Sequence, residues 1–247
     1  MAARAGRPGV HGVRLSDATI RGVSLRARGV VFDLDGTLVS NMALHAEAFR
    51  VFVERHGLPP LDAGLRGRLD GKRNSDIFPI LFARALSAEE QRTFADEKEG
   101  LYRELARGRL RPLPGLERLL AILERRGVPV VVATSAPPEN VPYTLGELGL
   151  HGRLTRVVRS DSVPRGKPHP DVFLAAAREI DVPPEACLAF EDAPAGIRAA
   201  RAAGMACVAV TTSFSLAQFE AHDARPDAAV EDFDAFLAGP GAWLEAD

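Results

Sequence analysis

Four short polar segments of this sequence follow apolar runs and carry side chains that can bind metal ions and phosphate. They are Asp33–Thr37, Thr134-Ser135, Gly166–Pro168 and Glu191-Asp192. Taken singly, each has a plain structural explanation, because Asp-Gly pairs form turns, acidic residues favour helix N-termini and most lysines lie on the surface. Their joint placement, each at the end of a predicted strand or in the loop beyond it, favours one shared site.

The segments supply four carboxylates, from Asp33, Asp35, Glu191 and Asp192. Carboxylates a few ångströms apart raise each other's pKa unless a cation compensates their charge. Oxygen ligands without a nearby His or Cys favour Mg²⁺. A calcium-binding EF-hand is excluded, because its sixth loop position needs Gly and holds Leu38 here. A magnesium site leaves room for a substrate phosphate, whose other oxygens Lys167 and the Thr134 hydroxyl would hold.

Apolar periodicity predicts that strands and helices alternate along most of the chain. Strands are expected at 30–32, 128–133, 155–158, 186–190, 205–210 and 228–230, and helices at 41–56, 74–85, 88–107, 138–148, 170–180 and 194–203, with one more beginning at residue 116. This alternation is typical of the α/β class with a three-layer, Rossmann-like parallel sheet core. Ligands bind beyond the carboxyl ends of such strands. The helical block at 41–111 follows the first strand, so we expect an inserted all-helical cap domain over the site.

The remaining sequence sets domain limits and excludes several partners. Residues 1–28 carry six Arg and one Asp without periodicity and are expected to be a flexible extension, so the core comprises 29–40 and 112–247. The formal net charge of −2 argues against a nucleic-acid partner. No apolar run reaches the roughly 20 residues of a membrane span, and no secretory signal is evident. Cys187 and Cys207 lie in apolar runs, which predicts buried free thiols and a cytoplasmic protein, for which a monomer is compatible with the sequence.

In this order, the four segments resemble the four motifs of the haloacid dehalogenase superfamily. The resemblance runs from about Gly29 to Phe236, nearly all of the chain after its N-terminal extension. The helical block resembles the cap of the β-phosphoglucomutase-like and phosphoglycolate-phosphatase-like branch. The expected fold is therefore a catalytic α/β core with that cap.

The resemblance implies a role for each motif residue. Asp33 would be the nucleophile and form an aspartyl-phosphate. Asp35 would lend its backbone carbonyl to Mg²⁺ and use its carboxyl first as an acid and then as a base. Asp192 would bind the metal, and Glu191 would bind it or orient a water on it. Backbone N–H groups around Gly36 would stabilise charge on the transferring phosphoryl group.

The resemblance also implies substrate contacts, most of them in the cap. They are Ser135, His45, Lys98 and the loop residues Gly71, Lys72, Arg73 and Asn74. His45 stands twelve residues after the first motif aspartate and would reach the catalytic acid. The chain has only three lysines, Lys72, Lys98 and Lys167, and each falls in a motif-like segment. For His45 and Lys98, an ordinary place on a helix surface is the alternative. Asn41 is expected to cap the first cap helix.

The cap loop bears on the choice between phosphatase and mutase. A β-phosphoglucomutase holds two phosphates with an Arg in the cap loop and a Ser-Lys-Asn run after the second motif. This sequence has Asn74 and Ala136–Pro138 at the matching positions. The sequence lacks the hydroxyl and positive charge there, for which Arg73 or Lys72 is the alternative source. This loss favours a Mg²⁺-dependent phosphatase of a small phosphorylated metabolite, a sugar phosphate, over a phosphosugar mutase. A non-catalytic phosphosugar sensor is the third alternative.

Overall fold

Six parallel strands form one sheet in the part of the chain that the structure describes, residues 27–244 without 63–64, 66–68 and 70. In this computed structural model the strands are β1 (Gly29–Phe32), β2 (Val130–Thr134), β3 (Val157–Arg159), β4 (Cys187–Glu191), β5 (Ala206–Val210) and β6 (Ala228–Val230). Their order is β3-β2-β1-β4-β5-β6, and all neighbours are parallel. The predicted α/β class and parallel sheet are confirmed. Residues 1–26, nearly all of the predicted extension, lie outside the described residues.

Helices pack on both faces of this sheet and also form an insertion beside it. They are α1 (Met42–Arg55), α2 (Asn74–Leu81), α3 (Ala88–Ala106), α4 (Leu116–Arg125), α5 (Asn140–Glu147), α6 (Asp171–Glu179), α7 (Pro194–Ala202), α8 (Leu216–Ala221) and α9 (Phe233–Ala238). Successive side chains of a strand point to opposite faces. Val30 and Phe32 of β1 accordingly join a cluster with Leu119 of α4, while Val31 joins Phe173 of α6 on the other face. The core therefore has three layers, as predicted.

Helices α1 to α3 lie between β1 and β2 in the chain and share a small hydrophobic core of their own. Phe52 and Phe78 are fully buried there, with ring centroids 5.3 Å apart. The Phe82 and Phe94 rings stack at 4.5 Å. A separate core lets this helical insertion keep its shape beside the sheet. The limits of the cap at 41–111 stay a prediction.

Two parts of the predicted pattern need correction. Strand β2 begins at Val130 rather than Val128, because the N–H of Val128 donates to the Leu123 carbonyl and so closes the end of α4. Helices α8 and α9 were not predicted, since each has only six residues. For α9 a signal existed, because the Asp232 side chain accepts from the N–H of Ala235 as an N-cap.

Two further expectations concern the environment of the chain. Cys187 and Cys207 are both free and buried, which confirms the prediction for the thiols. Among the described residues, no helix combines the length and apolar character that crossing a membrane requires.

Candidate active site

The carboxyl ends of β1 and β4 and the loop after β3 bring four charged side chains into one buried group, which we call the charged cluster. Its members are Asp33, Lys167, Glu191 and Asp192, each at most 6% exposed. The Lys167 Nζ donates to Oδ1 of Asp33 at 2.5 Å and to Oε1 of Glu191 at 2.6 Å. Its third acceptor is the Ala133 carbonyl, at 3.1 Å. The ammonium is therefore fully engaged and fixes one oxygen of Asp33.

The charged cluster carries more negative than positive charge. Carboxylate oxygens of Asp33, Glu191 and Asp192 lie within 4.8 Å of one another, and they face one ammonium. Burial and the charge of Glu191 raise the pKa of Asp33 to about 8, although Lys167 opposes the shift. Burial, Glu191 and Asp33 raise the pKa of Asp192 well above its usual value. Oxygen-only donors with uncompensated charge fit a hard divalent cation such as Mg²⁺.

Two glycines let the acidic side chains approach the backbone this closely. A Cβ at Gly196 would lie 1.5 Å from Oε1 of Glu191, so only glycine fits there. Glu191 is further held through Oε2, which accepts the N–H groups of Asp192 and Ala193 at 2.8 Å. Gly36 has a φ of +85°, and a Cβ on it would lie 2.0 Å from Oδ2 of Asp192. The loops after β1 and β4 are therefore packed directly against each other.

The loop after β5 also supports the site, and the sequence reasoning missed it. The Ser213 hydroxyl donates to Oδ2 of Asp192, and the Thr212 hydroxyl donates to the Gly36 carbonyl. Both residues directly follow a parallel strand at the same edge of the sheet as the motif residues. The rule that located the motif residues could therefore have found these two hydroxyls as well.

Asn41 holds the loop after β1 rather than capping α1. Its Nδ2 donates to Oδ1 of Asp35 and to the Tyr102 hydroxyl, both at 2.6 Å, and its Oδ1 accepts the Gly36 N–H at 3.0 Å. No side-chain hydrogen bond caps α1, so the prediction of a capping role for Asn41 was wrong. The physical reason is that its amide is already used by Asp35, Gly36 and Tyr102. Sequence reasoning assigned Tyr102 no role.

Asp35 lies between Asn41 and His45. The Nε2 of His45 stands 3.7 Å from Oδ1 of Asp35 and is buried without a hydrogen-bond partner. Burial would raise the pKa of Asp35, but His45 and Asn41 outweigh it, so the pKa is lowered. The His45 ring stacks on Tyr102 with centroids 3.7 Å apart. These contacts hold Asp35 at the boundary between the sheet and the helical insertion.

Lys98 approaches the same histidine from α3. Its Nζ lies 2.9 Å from Nδ1 of His45 and 2.9 Å from Oε1 of Glu99. It also stands 4.4 Å above the centre of the Phe49 ring. Because the ammonium can only donate, Nδ1 of His45 accepts, which leaves Nε2 as the atom that can carry a proton toward Asp35.

The loop before α2 contributes unevenly to the site. The Gly71 carbonyl accepts the Ser135 hydroxyl at 2.8 Å, which joins the helical insertion to the end of β2. Asn74 donates to Oε1 of Glu99 at 2.7 Å. Arg73 instead pairs with Asp76 at 2.9 Å and donates to the Ser160 carbonyl at 3.3 Å, so its guanidinium is engaged outside the charged cluster.

A cavity of about 770 Å³, partly open to solvent, lies between the sheet edge and the helical insertion. Its polar lining comprises Asp33, Asp35, His45, Lys72, Asn74, Lys98, Glu99, Thr134, Ser135 and Asp192, with the backbone of Gly71. Thr134 uses its hydroxyl oxygen to accept the Ala136 N–H at 3.0 Å. Among the sequence-predicted residues, Gly36, Arg73, Lys167 and Glu191 do not line this cavity. Of these four, Lys167 and Glu191 support Asp33 from within the charged cluster.

Comparisons with known proteins agree with this architecture. A family model described as haloacid dehalogenase-like hydrolase matches residues 27–204. The β-phosphoglucomutase of Bacillus subtilis is 34% identical over 192 residues, 74% of this chain and 83% of that protein. A fructose-1-phosphate phosphatase of Escherichia coli is 33% identical over 185 residues, 75% of this chain and 97% of its own. The crystal structure of CbbY from Rhodobacter sphaeroides in complex with phosphate superposes with a TM-score of 0.73 at 27% identity, covering 89% of this chain and 99% of that one.

Proposed function

This chain belongs to the haloacid dehalogenase-like hydrolase family and is a phosphoric monoester hydrolase, and on that premise we propose that it hydrolyses a small sugar phosphate through an aspartyl-phosphate on Asp33, with Mg²⁺ as cofactor. The observation that carries the proposal is the charged cluster, which places a buried, lysine-bound aspartate at the floor of a cavity. The two unpaired, buried thiols suit a reducing compartment, so we place the activity in the cytoplasm.

In the first step, a carboxylate oxygen of Asp33 attacks phosphorus and the bond from phosphorus to the leaving oxygen breaks. Lys167 binds Oδ1 of Asp33 at 2.5 Å, whereas Oδ2 accepts a longer hydrogen bond of 3.4 Å from the Thr37 hydroxyl, so Oδ2 is the less tightly held oxygen and the one that attacks. Fixing the nucleophile removes rotational freedom that the reaction would otherwise lose in the transition state. The departing oxygen takes a proton from Asp35, which takes up that proton as the phosphate arrives, because the negative charge of the phosphate raises the pKa that His45 and Asn41 otherwise lower.

In the second step, a water attacks the phosphorus of the aspartyl-phosphate and Asp33 is regenerated. Asp35 takes the proton of that water, and its lowered pKa returns it to the ionised form that a base needs. Asn41 and His45 keep its carboxyl directed at the cavity. One residue thus serves as acid and then as base because its surroundings change between the steps.

The residues that would hold Mg²⁺ are Asp33, Asp192 and the backbone carbonyl of Asp35. Both oxygens of Glu191 already accept hydrogen bonds, so this residue would support the metal-binding residues without binding the ion itself. When bound, the ion would compensate the negative charge of the carboxylates and of the phosphate.

A metal-dependent screen of phosphorylated metabolites tests the proposal. We expect phosphate release from at least one sugar phosphate with Mg²⁺ and none after chelation of the metal. If no phosphomonoester is hydrolysed under either condition, the proposal is wrong and a non-catalytic sensor becomes the better reading.

A phosphosugar mutase is the second candidate, because the β-phosphoglucomutase relative is as similar as the phosphatase relative. Incubation with β-glucose 1-phosphate and a bisphosphate primer separates the two activities. A phosphatase releases free phosphate, whereas a mutase forms glucose 6-phosphate without it.

A further inference from the structure

Among the described residues of the helical insertion, Glu99 is the one carboxylate that lines the cavity, and it stands among several hydrogen-bond donors. We call its polar lining, His45, Lys72, Asn74, Lys98 and Glu99, the cap wall. Lys98 is 2% exposed and Glu99 is 4% exposed, and the Nζ of Lys98 lies 2.9 Å from Oε1 of Glu99. The positive charge of Lys98 is therefore compensated before any ligand enters.

Glu99 is held in place from both sides of the cavity. Asn74 donates to its Oε1, and Asn140 of the core helix α5 donates to its Oε2, both at 2.7 Å. Asn140 in turn accepts from Arg103 at 2.7 Å. Burial opposes ionisation, but Lys98, His45 and these bonds outweigh it and lower the pKa of Glu99 to about 2. The carboxylate is thus charged at neutral pH and its oxygens are already bonded.

This arrangement opposes a second anionic group on the substrate. A phosphate against the cap wall would meet the charge of Glu99, and the Nδ2 of Asn74 is already donated to that carboxylate. Lys72 is only half-buried, so water screens it, and one ammonium cannot compensate two phosphate charges. Like charges brought together in this way repel each other and weaken binding.

The remaining features of the cavity suit an uncharged group. Met42, Phe49 and Ile77 give the cavity an apolar side that can pack against the C–H groups of a sugar or cyclitol.

Resting on the proposed function, we propose that Glu99 is a specificity residue that restricts the site to phosphomonoesters whose remaining part is uncharged. The geometry predicts that substrates carrying a second phosphate or a carboxylate are excluded at the cap wall rather than at the charged cluster.

The test compares substrates that differ only by a second phosphate. We would measure kcat and KM for fructose 1-phosphate with fructose 1,6-bisphosphate, and for glucose 6-phosphate with glucose 1,6-bisphosphate. The enzymes are the wild type and the variants Glu99→Gln and Asn74→Arg, which each make the cap wall more positive by one charge. Glu104→Gln removes an exposed carboxylate from the same helix and is the matched control.

We expect the wild type to prefer the monophosphate in each pair. The ratio of kcat/KM for bisphosphate to that for monophosphate should rise about tenfold in Glu99→Gln, mainly through KM, and stay unchanged in Glu104→Gln. Asn74→Arg keeps Glu99 and should raise the same ratio, which covers the case that Glu99→Gln does not fold. If a folded Glu99→Gln or Asn74→Arg variant hydrolyses the monophosphate but leaves the bisphosphate-to-monophosphate ratio of kcat/KM unchanged, this inference is wrong while the proposed function stands. A wild type that hydrolyses neither substrate of a pair, nor any other phosphomonoester, would overturn the proposed function and this inference with it.

Discussion

The charged cluster and the cap wall both bury a lysine beside a glutamate, but the two regions balance charge differently. In the charged cluster, Lys167 is shared between Asp33 and Glu191, and Asp192 is left uncompensated. In the cap wall, Lys98 faces one carboxylate, Glu99, which two amides also hold. The core side is therefore negative, while the charge of Lys98 on the cap side is already balanced.

This difference in charge implies different roles for the charged cluster and the cap wall. Uncompensated carboxylates can attract a cation and, through it, a phosphate, so the proposed function assigns the chemistry to the strand ends. In the cap wall Glu99 balances the charge of Lys98 and water screens the half-buried Lys72, so this side accepts or rejects the rest of the substrate by shape, hydrogen bonding and charge. Changes in the charged cluster should therefore affect every substrate, while changes in the cap wall should affect some substrates more than others.

The largest effect is expected for Asp33→Asn, because an amide cannot act as the nucleophile. Turnover of every substrate should fall by more than about 1,000-fold. Burial and Glu191 raise the pKa of Asp33 to about 8, so its ionised form opposes folding at neutral pH, and the neutral amide should not lower the free energy of unfolding. Kinetics and urea denaturation measure the two quantities.

Asp161→Asn is the matched control, because Asp161 is exposed after β3 and pairs only with Arg159 at 3.0 Å. It should keep full activity. Turnover by Asp33→Asn within tenfold of the wild type would exclude Asp33 as the nucleophile and place the chemistry elsewhere.

The next effect concerns stability and compares the two buried lysines directly. Lys167→Met leaves Asp33 and Glu191 buried without a cation, so the free energy of unfolding should fall by about 3–5 kcal/mol. Lys98→Met should cost less, about 1–3 kcal/mol, because Asn74 and Asn140 still donate to Glu99.

Urea denaturation with the metal chelated provides both values. Equal losses in the two variants would contradict the comparison, since they would mean that the charged cluster is as well compensated as the cap wall.

A smaller effect is expected for Ser213→Ala, which removes the hydroxyl that donates to Asp192. The Mg²⁺ concentration for half-maximal activity should rise about tenfold while the activity at saturating metal changes little. Ser162→Ala, an exposed serine that donates to the Arg159 carbonyl, is the matched control. An unchanged metal dependence in Ser213→Ala would mean that Asp192 needs no such support.

Much of the charged cluster could be predicted because its positions follow from local sequence. Each acidic residue directly follows a buried apolar run, and parallel strands bring their carboxyl ends to one edge. The contact of Lys167 with Asp33 could not be predicted from local sequence, because the two residues are 134 positions apart. The order of the motifs in the chain indicated that contact.

The cap side could be predicted only in part. His45, Lys98 and Asn74 were identified through the family resemblance. The role of Glu99 was not, because its partner Asn140 is 41 residues away on a core helix. The error for Asn41 has the same origin. Its position before α1 is that of an N-cap, but its side chain is engaged by Tyr102, 61 residues along the chain. Local pattern gives the position of such residues, and tertiary packing decides what their side chains bond.

Trapping the covalent intermediate tests the central claim most directly. The enzyme would be mixed with its best sugar phosphate and Mg²⁺, quenched in acid during the first turnover, and digested for mass spectrometry. The account predicts that one phosphoryl group is attached to Asp33, and that Asp33→Asn shows none. Phosphate release without any phosphorylated peptide, or with the phosphoryl group on another residue, would contradict it.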